Sequence, residues 1–292
     1  CGINFYVHAP KRTDKSACPD GWDAITILVP VRPPHPRFLP PSGVNLTPIS
    51  LYIASILCIA YLPALMLPSD RLLRFLAKYY FGLHDRLEPL FGLNGSIEGW
   101  ENLPDQPCLI ALQHQSGWET MRLPVWFRRP AIIMKAELFR IPLWGWYASG
   151  TDMIPIDRSK GSEAVPAMLA HAADRIAAGR DIVIFPQGTR TPPGVKRDYK
   201  YGIAKLYEHL NVPVVPIALN SGVYTTKMGL FKKRGTITVR MMPPIEPGLS
   251  GSALMTQLQS MIEDESDRML EQDGIKPMPQ APTIPTPVNP LP

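Results

Sequence analysis

The sequence that decides the fold is CLIALQHQSGWE, which runs from Cys108 to Glu119. Its first six residues form a short, mostly apolar run typical of a buried strand, and a polar turn with His114 follows directly. Helical patterns separate this run from others of the same kind. They predict an α/β fold with a largely parallel central sheet flanked by helices. The other predicted strands are Ser96–Gly99, Ala131–Lys135, Met153–Ile156, Asp181–Phe185, Val214–Leu219 and Thr236–Met241, and the clearest predicted helices are Ser162–Ala178, Gly202–His209 and Ser252–Gln272.

His114 and Glu119 are a candidate general base and its orienting carboxylate. The unperturbed pKa of histidine, about 6.5, allows the ring to accept a proton near neutral pH. A carboxylate bonded to the second ring nitrogen would fix the tautomer and stabilise the imidazolium. Such a pair found alone is more often a structural hydrogen bond, so a catalytic role needs support from elsewhere in the chain.

A second polar loop, Pro186–Arg190, supplies that support. It directly follows a predicted strand, as His114 does. Ligands of open α/β sheets bind beyond the carboxyl ends of the strands, so we expect both loops at one edge of the sheet. Gly188 shapes a tight turn, the Thr189 hydroxyl can bond anionic oxygens, and the Arg190 guanidinium can grip a phosphate with two bonds. The alternative is a surface turn with an arginine salt bridge.

Two further basic residues lie at the ends of predicted strands. Lys135 ends one strand, and Arg158 follows Asp157 at the end of another. Each cation could extend an anion pocket, and each could equally be solvated. We keep both as candidate phosphate-binding residues.

Four blocks of the sequence resemble, in order, the motifs of the lysophospholipid acyltransferase family. The resemblance points most specifically to bacterial members that acylate 1-acyl-sn-glycerol 3-phosphate. It covers Ser96–Met242 together with the preceding apolar run, and the stretch Lys135–Leu138 also fits. The four blocks are His114 to Glu119, Gly150 to Arg158, Phe185–Arg190, and Val214–Ala218, which contains Pro216.

The resemblance implies a reaction and a role for each candidate residue. His114 would remove the proton from the sn-2 hydroxyl of lysophosphatidic acid, while Glu119 holds the imidazole. The hydroxyl oxygen would attack the thioester of acyl-CoA or acyl carrier protein directly, without an acyl-enzyme and without a cofactor. Arg190, together with Arg158, would hold the phosphate of the acceptor. The product would be phosphatidic acid, an intermediate of phospholipid biosynthesis.

Direct transfer also agrees with the sequence, which contains no G-x-S-x-G nucleophile elbow of an α/β serine hydrolase. Ser116 as a nucleophile is a minor alternative to a structural or substrate-binding hydroxyl at that position. Backbone donors near Ser116, Gly117 or Gly188 could stabilise the oxyanion that forms during acyl transfer.

Three positions depart from the usual family pattern: Gln113, where Asn is more common, Glu119, where Asp is more common, and Gln187, where Glu is more common. Glu119 keeps the charge, so we expect the base pair to work. Gln187 removes a negative charge, which predicts a more cationic phosphate pocket. The runner-up acceptor is therefore another lyso-lipid, such as a lyso-ornithine lipid or a lysophospholipid. A non-catalytic membrane scaffold with the same fold is the alternative from another class.

The ends of the chain predict attachment to a membrane and a tail. Residues 1–46 show little periodicity and are interpreted as a mis-assigned or disordered leader, and residues 47–95 as a membrane anchor. Ile49–Leu67 is a nearly continuous apolar run of 19 residues, long enough to cross a hydrocarbon core of about 30 Å; a buried helix or re-entrant hairpin is the alternative. Asp70–Phe91 has the pattern of a cationic amphipathic helix. Residues 96–272 then form the acyltransferase domain, and 273–292 a disordered proline-rich tail.

Composition narrows the possible partners. A net charge of +5 suits an anionic membrane or a phosphorylated substrate, and is also ordinary for a protein without such partners. Nucleic acid is not expected, because the sequence has no dense basic stripe with interleaved aromatics. The four cysteines and six histidines show no metal-binding spacing, so no metal is predicted. The implied thioester donors are cytoplasmic, so we predict a cytoplasmic (inner) membrane location with the catalytic domain facing the cytoplasm.

Overall fold

The computed structural model describes residues 79, 82–83, 85–127, 129–142, 144–227 and 232–275. Seven strands form one sheet in the order β1-β7-β6-β2-β5-β3-β4. Neighbouring strands run parallel except for β6 and β7, which run antiparallel. The predicted largely parallel sheet is therefore confirmed. The strands are β1 Leu93–Glu98, β2 Leu109–Leu112, β3 Ala131–Lys135, β4 Ile154–Ile156, β5 Ile182–Ile184, β6 Val214–Leu219 and β7 Gly235–Met241.

Besides the helical residues before Glu88, the described part of the chain has six α-helices and four short 3-10 turns. The longest helix begins where the Ser250 side chain accepts a hydrogen bond from the Ala253 N–H, a normal N-cap. The helices are α1 Trp118–Trp126, α2 Trp144–Gly150, α3 Ala164–Ala177, α4 Gly202–Leu210, α5 Ser221–Tyr224 and α6 Gly251–Gln272; the 3-10 turns are Glu88–Phe91, Trp100–Asn102, Ala136–Arg140 and Arg158–Glu163.

The central strand β2 shows how the sheet divides the core into two layers. All four of its residues are buried, and successive side chains of a strand point to opposite faces. Leu109 and Ala111 pack into a layer with α3, α4 and α6. Ile110 and Leu112 pack into the other layer with α1 and α2. Both faces of the sheet are thus covered by helices, which explains why the strand sequence is apolar throughout rather than alternating.

Two features of the fold differ from the sequence prediction. Helix α1, directly after the His114 turn, was not predicted, because Pro124 lies inside it and the charged Arg122 lies on its buried side. Strand β7 reverses direction beside β6, with Ile217 level with Met241. Such a reversal leaves no mark in the apolar pattern of a single strand. The predicted strands overlap the observed ones with small shifts at their ends, and β1 begins at Leu93.

The end of the predicted amphipathic helix Asp70–Phe91 is tied to α1 by buried charges. Residues 79, 82, 83 and 85–87 are helical before the 3-10 turn. Glu88 accepts a hydrogen bond from Trp118 Nε1 at 2.9 Å and forms an ion pair with Arg122. Burial raises the pKa of Glu88, but the positive charges of Arg122 and Lys232 outweigh it and hold that pKa below its ordinary value. This segment therefore packs on the domain through α1.

Some predictions fall on residues beyond this description. The leader 1–46, the apolar run Ile49–Leu67 and residues 276–292 of the tail lie outside the described residues. Within the described ranges, no helix combines the length and the apolar character needed to cross a membrane.

Candidate active site

Three loops meet at the carboxyl edge of the sheet, and His114 lies in the middle one. Strand β2 pairs in parallel with β5 on one side and with β6 on the other, so the loops after all three strands leave at the same edge. The His114 turn and the loop after β5, which were expected at one edge, are in contact. The backbone N–H of His114 donates to Gln187 Oε1 at 2.9 Å, and the Thr191 N–H donates to the His114 carbonyl at 2.7 Å.

His114 and Glu119 form the predicted pair. Nδ1 of His114 lies 3.0 Å from Oε1 of Glu119, which is in the first turn of α1. The imidazole stacks on the ring of Phe185, with ring centroids 4.0 Å apart and planes 25° apart. An ionised carboxylate can only accept a hydrogen bond, so Nδ1 carries the proton. Nε2 is then the ring nitrogen with a free lone pair, as a general base requires.

The carboxylate of Glu119 is fully buried, with 0% of its surface exposed, and it receives several donors. Oε1 accepts from Nδ1 of His114, from the Gln115 N–H at 2.8 Å and from the Ser116 N–H at 2.7 Å. Oε2 lies 2.8 Å from the hydroxyls of both Ser116 and Ser221. Burial raises the pKa of Glu119, but the bonds from His114 and Ser116 outweigh it and hold that pKa below its ordinary value of 4.5. The carboxylate is therefore ionised at neutral pH.

Ser116 has a structural position. It is fully buried, its Oγ accepts from the Trp118 N–H at 3.1 Å, and the same hydroxyl bonds Glu119. These contacts favour a structural role of the Ser116 hydroxyl over a role as nucleophile. Of the three suggested oxyanion donors, the Ser116 N–H is engaged by Glu119 and the Gly188 N–H by the Phe185 carbonyl at 2.9 Å. Gly117 remains as the candidate among the three.

The loop after β5 collects basic side chains around Gly188, where a left-handed backbone (φ 70°) makes the predicted tight turn. Nη1 of Arg158 donates to the Gly188 carbonyl. A Cβ added at Gly188 would lie 3.3 Å from that nitrogen and 3.2 Å from Cγ of Lys200. Arg190 is half-buried and Thr189 is exposed in the same loop. The Arg158 guanidinium and the stem of the Lys200 side chain therefore flank the turn that precedes Arg190.

Lys135 and Lys200 extend this cationic region in different ways. Lys135 is exposed at the end of β3, level with Ile156 of β4, whose chain continues into Arg158. Lys200 was not predicted, because it lies ahead of α4 and away from any strand end. Its backbone N–H donates to the Pro186 carbonyl at 2.8 Å. That bond folds the chain back and brings Lys200 to the loop.

The motif residues Gln113, Gln187 and Pro216 have structural positions. Gln187 is buried, and its side-chain oxygen accepts from the His114 N–H. The position that lacks the family's negative charge therefore contacts the backbone of the His114 turn. The more cationic phosphate pocket stays a prediction. Gln113 Oε1 accepts from the Leu219 N–H at 3.1 Å. Pro216 lies within β6, buried in the sheet.

Ser221 is the other site residue that the sequence analysis missed. It begins α5 directly after β6, at the same sheet edge as His114. The Gly222 N–H donates to Gln115 Oε1 at 2.9 Å, which ties this turn to the His114 turn. The strand-end rule that identified His114 also applies to Ser221, but a neutral serine gave no chemical signal of its own.

In the described ranges, no cluster of His, Cys, Asp or Glu could hold a metal ion.

Comparisons with known proteins find acyltransferases. A family model described as Acyltransferase matches residues 95–220, which include the loops of His114 and Arg190. A 1-acyl-sn-glycerol-3-phosphate acyltransferase of Pseudomonas aeruginosa is 34% identical over 172 residues, covering 59% of this chain and 67% of that protein. The protein of the same name from Saccharomyces cerevisiae is 26% identical over 201 residues, covering 67% of this chain and 66% of its own length.

A solved structure shares the fold. The crystal structure of the 1-acyl-sn-glycerophosphate acyltransferase PlsC from Thermotoga maritima aligns with a TM-score of 0.63 at 20% identity. The alignment covers 77% of this chain and 94% of that one.

Proposed function

Because the chain belongs to the acyltransferase family, we propose that it transfers a fatty acyl group from an acyl thioester to the sn-2 hydroxyl of 1-acyl-sn-glycerol 3-phosphate, giving phosphatidic acid. The names of its relatives support this acceptor. The observation that supports the proposal is the direct contact between the turn that holds the base and the basic loop. The backbone N–H of His114 donates to Gln187, which lies in the same loop as Arg190.

The chemistry follows from the tautomer of His114. Nε2 removes the proton from the sn-2 hydroxyl while its oxygen forms a bond to the thioester carbonyl carbon. The positive charge that develops on the imidazole faces the Glu119 carboxylate at 3.0 Å. The tetrahedral intermediate then collapses, the C–S bond breaks, and the imidazolium returns its proton to the departing thiolate. The proton and charge balance without an acyl-enzyme.

The basic loop accounts for the acceptor. A phosphate monoester carries up to two negative charges and accepts several charge-assisted hydrogen bonds. The Arg158 guanidinium lies at Gly188, the Lys200 side chain passes the same turn, and Arg190 follows two residues later. Lys135 adds a fourth cation at the end of β3. Holding the phosphate there would position the glycerol hydroxyl for His114. Orientation of this kind contributes a large part of the rate in two-substrate reactions.

We further propose that the protein works at the cytoplasmic face of the inner membrane with acyl-CoA or acyl carrier protein as donor, and without a cofactor. Exposed apolar side chains at the site edge support contact with a lipid bilayer. Ile141 and Trp146, which follow β3, are 46% and 56% exposed. The neighbouring Lys135 and Arg140 are also exposed, and such a mixture of apolar and cationic side chains suits an anionic interface.

An acceptor panel tests the proposed function. The full chain is assayed with long-chain acyl-CoA and with acyl carrier protein thioester, against lysophosphatidic acid, a lyso-ornithine lipid and lysophosphatidylcholine. We expect lysophosphatidic acid to react fastest and His114→Ala to lower kcat by about 10²–10⁴-fold. The exposed His171 of α3 provides the matched control, His171→Ala. Equal rates on acceptors without a terminal phosphate would contradict the proposed acceptor, and full activity of His114→Ala would contradict the mechanism.

A further inference from the structure

The turn after β6 contributes a hydroxyl to the buried carboxylate of the active site. Ser221 is 0% exposed, and its Oγ donates to Glu119 Oε2 at 2.8 Å. Ser221 Oγ also lies 3.0 Å from Oγ of Ser116. Both hydroxyls therefore lie within hydrogen-bonding distance of Glu119 Oε2, while Oε1 bonds His114.

We propose that Ser221 is a positioning residue that fixes the Glu119 carboxylate and thereby sets the orientation and basicity of His114. This inference rests on the proposed role of His114 as the general base. It adds the turn after β6 to the two loops that the motifs identify.

The Ser221 turn is held from two sides, as a positioning role requires. On the inner side, the Gly222 N–H donates to Gln115 Oε1 at 2.9 Å. On the outer side, the Tyr224 hydroxyl donates to Asp273 Oδ1 at 2.7 Å, just beyond the end of α6. Burial, together with the hydrogen bond to Asp273, raises the pKa of Tyr224 to about 12. The phenol therefore stays protonated and remains a donor at physiological pH.

The hydroxyl of Ser221 changes the proton affinity of the pair in a defined direction. A donor to Oε2 stabilises the negative charge of Glu119, which makes the carboxylate a weaker partner for a protonated imidazole. Without the Ser221 hydroxyl, the carboxylate attracts the imidazolium proton more strongly, so the pKa of His114 should rise. The base would then be protonated over more of the acid range, and the acid limb of the rate profile would move to higher pH.

Other charges near the pair are unchanged by this substitution. They come from the loop after β5, from the far side of the α5 turn and from α1, where Arg122 is paired with Asp85 and Glu88. A shift in the His114 titration can therefore be assigned to the lost hydroxyl. The charged groups beside the loop after β5 are Arg158, Arg190 and Lys200, and the charged group on the far side of the α5 turn is Asp273.

The test compares Ser221→Ala with Thr225→Val in the full chain. Thr225 lies one turn further on and donates its hydroxyl to the Ser221 carbonyl at 2.9 Å, so its variant removes a hydroxyl from the same turn without a Glu119 contact. The histidine ring signals are titrated by NMR, with His114 assigned from His114→Ala, and kcat and KM are measured across pH. Ser221→Ala should raise the pKa of His114 by about half a unit to one unit and lower kcat about tenfold, with KM within about twofold. Thr225→Val should match the wild type in both readouts.

Ser221→Cys separates the lost donor from a packing defect. A thiol fills a similar volume but is a weak donor, so this variant should reproduce the change in the His114 titration. Wild-type His114 titration in both Ser221 variants would overturn the proposal, as would an equal shift in Thr225→Val. The NMR titration needs no substrate. It therefore reports on Ser221 even if the acceptor panel shows that the proposed acceptor is wrong.

Discussion

Replacing Glu119 with glutamine isolates the charge of the orienting carboxylate from its geometry. Oε1 faces three N–H donors, from His114, Gln115 and Ser116. The amide oxygen of Glu119→Gln should take this position, because the amide nitrogen cannot accept those bonds. The amide nitrogen then replaces Oε2, where the serine hydroxyls can act as acceptors. The imidazole keeps its tautomer and loses only the negative charge beside it.

The expected loss of rate follows from the distance between the two groups. Two unit charges 3.0 Å apart interact by about 5–6 kcal/mol at an effective dielectric constant of about 20. A proton transferred about halfway in the transition state would forfeit about half of that energy, or roughly 3 kcal/mol. Since about 1.4 kcal/mol corresponds to tenfold in rate, kcat should fall about 100-fold.

Steady-state acyl transfer with lysophosphatidic acid measures this loss, and Glu271→Gln, on the exposed side of α6, is the control. A kcat within about threefold of the wild type in Glu119→Gln would refute the reasoning. Stability gives a second readout. The pKa of Glu119 is held below 4.5 in the folded protein, so its charge stabilises the fold above that pH, and this contribution is lost as the pH falls further. The difference in unfolding free energy between wild type and Glu119→Gln should therefore shrink below about pH 4.5.

Three other substitutions test the surroundings of the site. Glu88→Ala leaves the buried Arg122 with one carboxylate partner instead of two, and should lower the free energy of urea unfolding by about 2–4 kcal/mol; a loss below about 0.5 kcal/mol would argue against a structural ion pair. Gly222→Ala places a Cβ 2.8 Å from a neighbouring proline ring, so kcat should fall, and an unchanged kcat would show that the turn can shift freely. The shorter side chain of Glu119→Asp should lose contact with the Ser221 hydroxyl. The losses in kcat from Glu119→Asp and Ser221→Ala should therefore be non-additive in a double-mutant cycle; additive losses would mean that the two residues act independently.

The sequence predicted the parts of the site that carry charge and lie at strand ends. His114 and the Pro186–Arg190 loop were expected at one sheet edge because each directly follows a predicted strand, and they meet because β2 and β5 are parallel neighbours. Lys200 and Ser221 were missed for different physical reasons. Lys200 reaches the site through one backbone hydrogen bond to Pro186, a long-range contact that no local pattern records. Ser221 has no charge, and its role appears only when the Glu119 carboxylate is seen buried beside it.

The same reasoning explains which parts of the fold were predicted. A strand buried on both faces reads as an unbroken apolar run, so β2 and β6 were recognisable. Strand direction depends on the connection between strands, and the described residues between β6 and β7 include the four-residue helix α5 but no full crossover helix. Helix α1 was hidden because its buried side carries Arg122, whose partners Asp85 and Glu88 lie more than thirty positions earlier.

The order of the strands decides which groups lie on each side of His114 in the candidate site. Because β2 lies between β5 and β6, the His114 turn has a neighbour on each side. The β5 side presents the basic residues suited to a phosphate, and the β6 side presents a neutral hydroxyl to the buried carboxylate. A cation in place of Ser221 would compete with His114 for Glu119 and weaken the base. A neutral donor can fix the carboxylate without neutralising it, so the charge that stabilises the imidazolium remains available to His114.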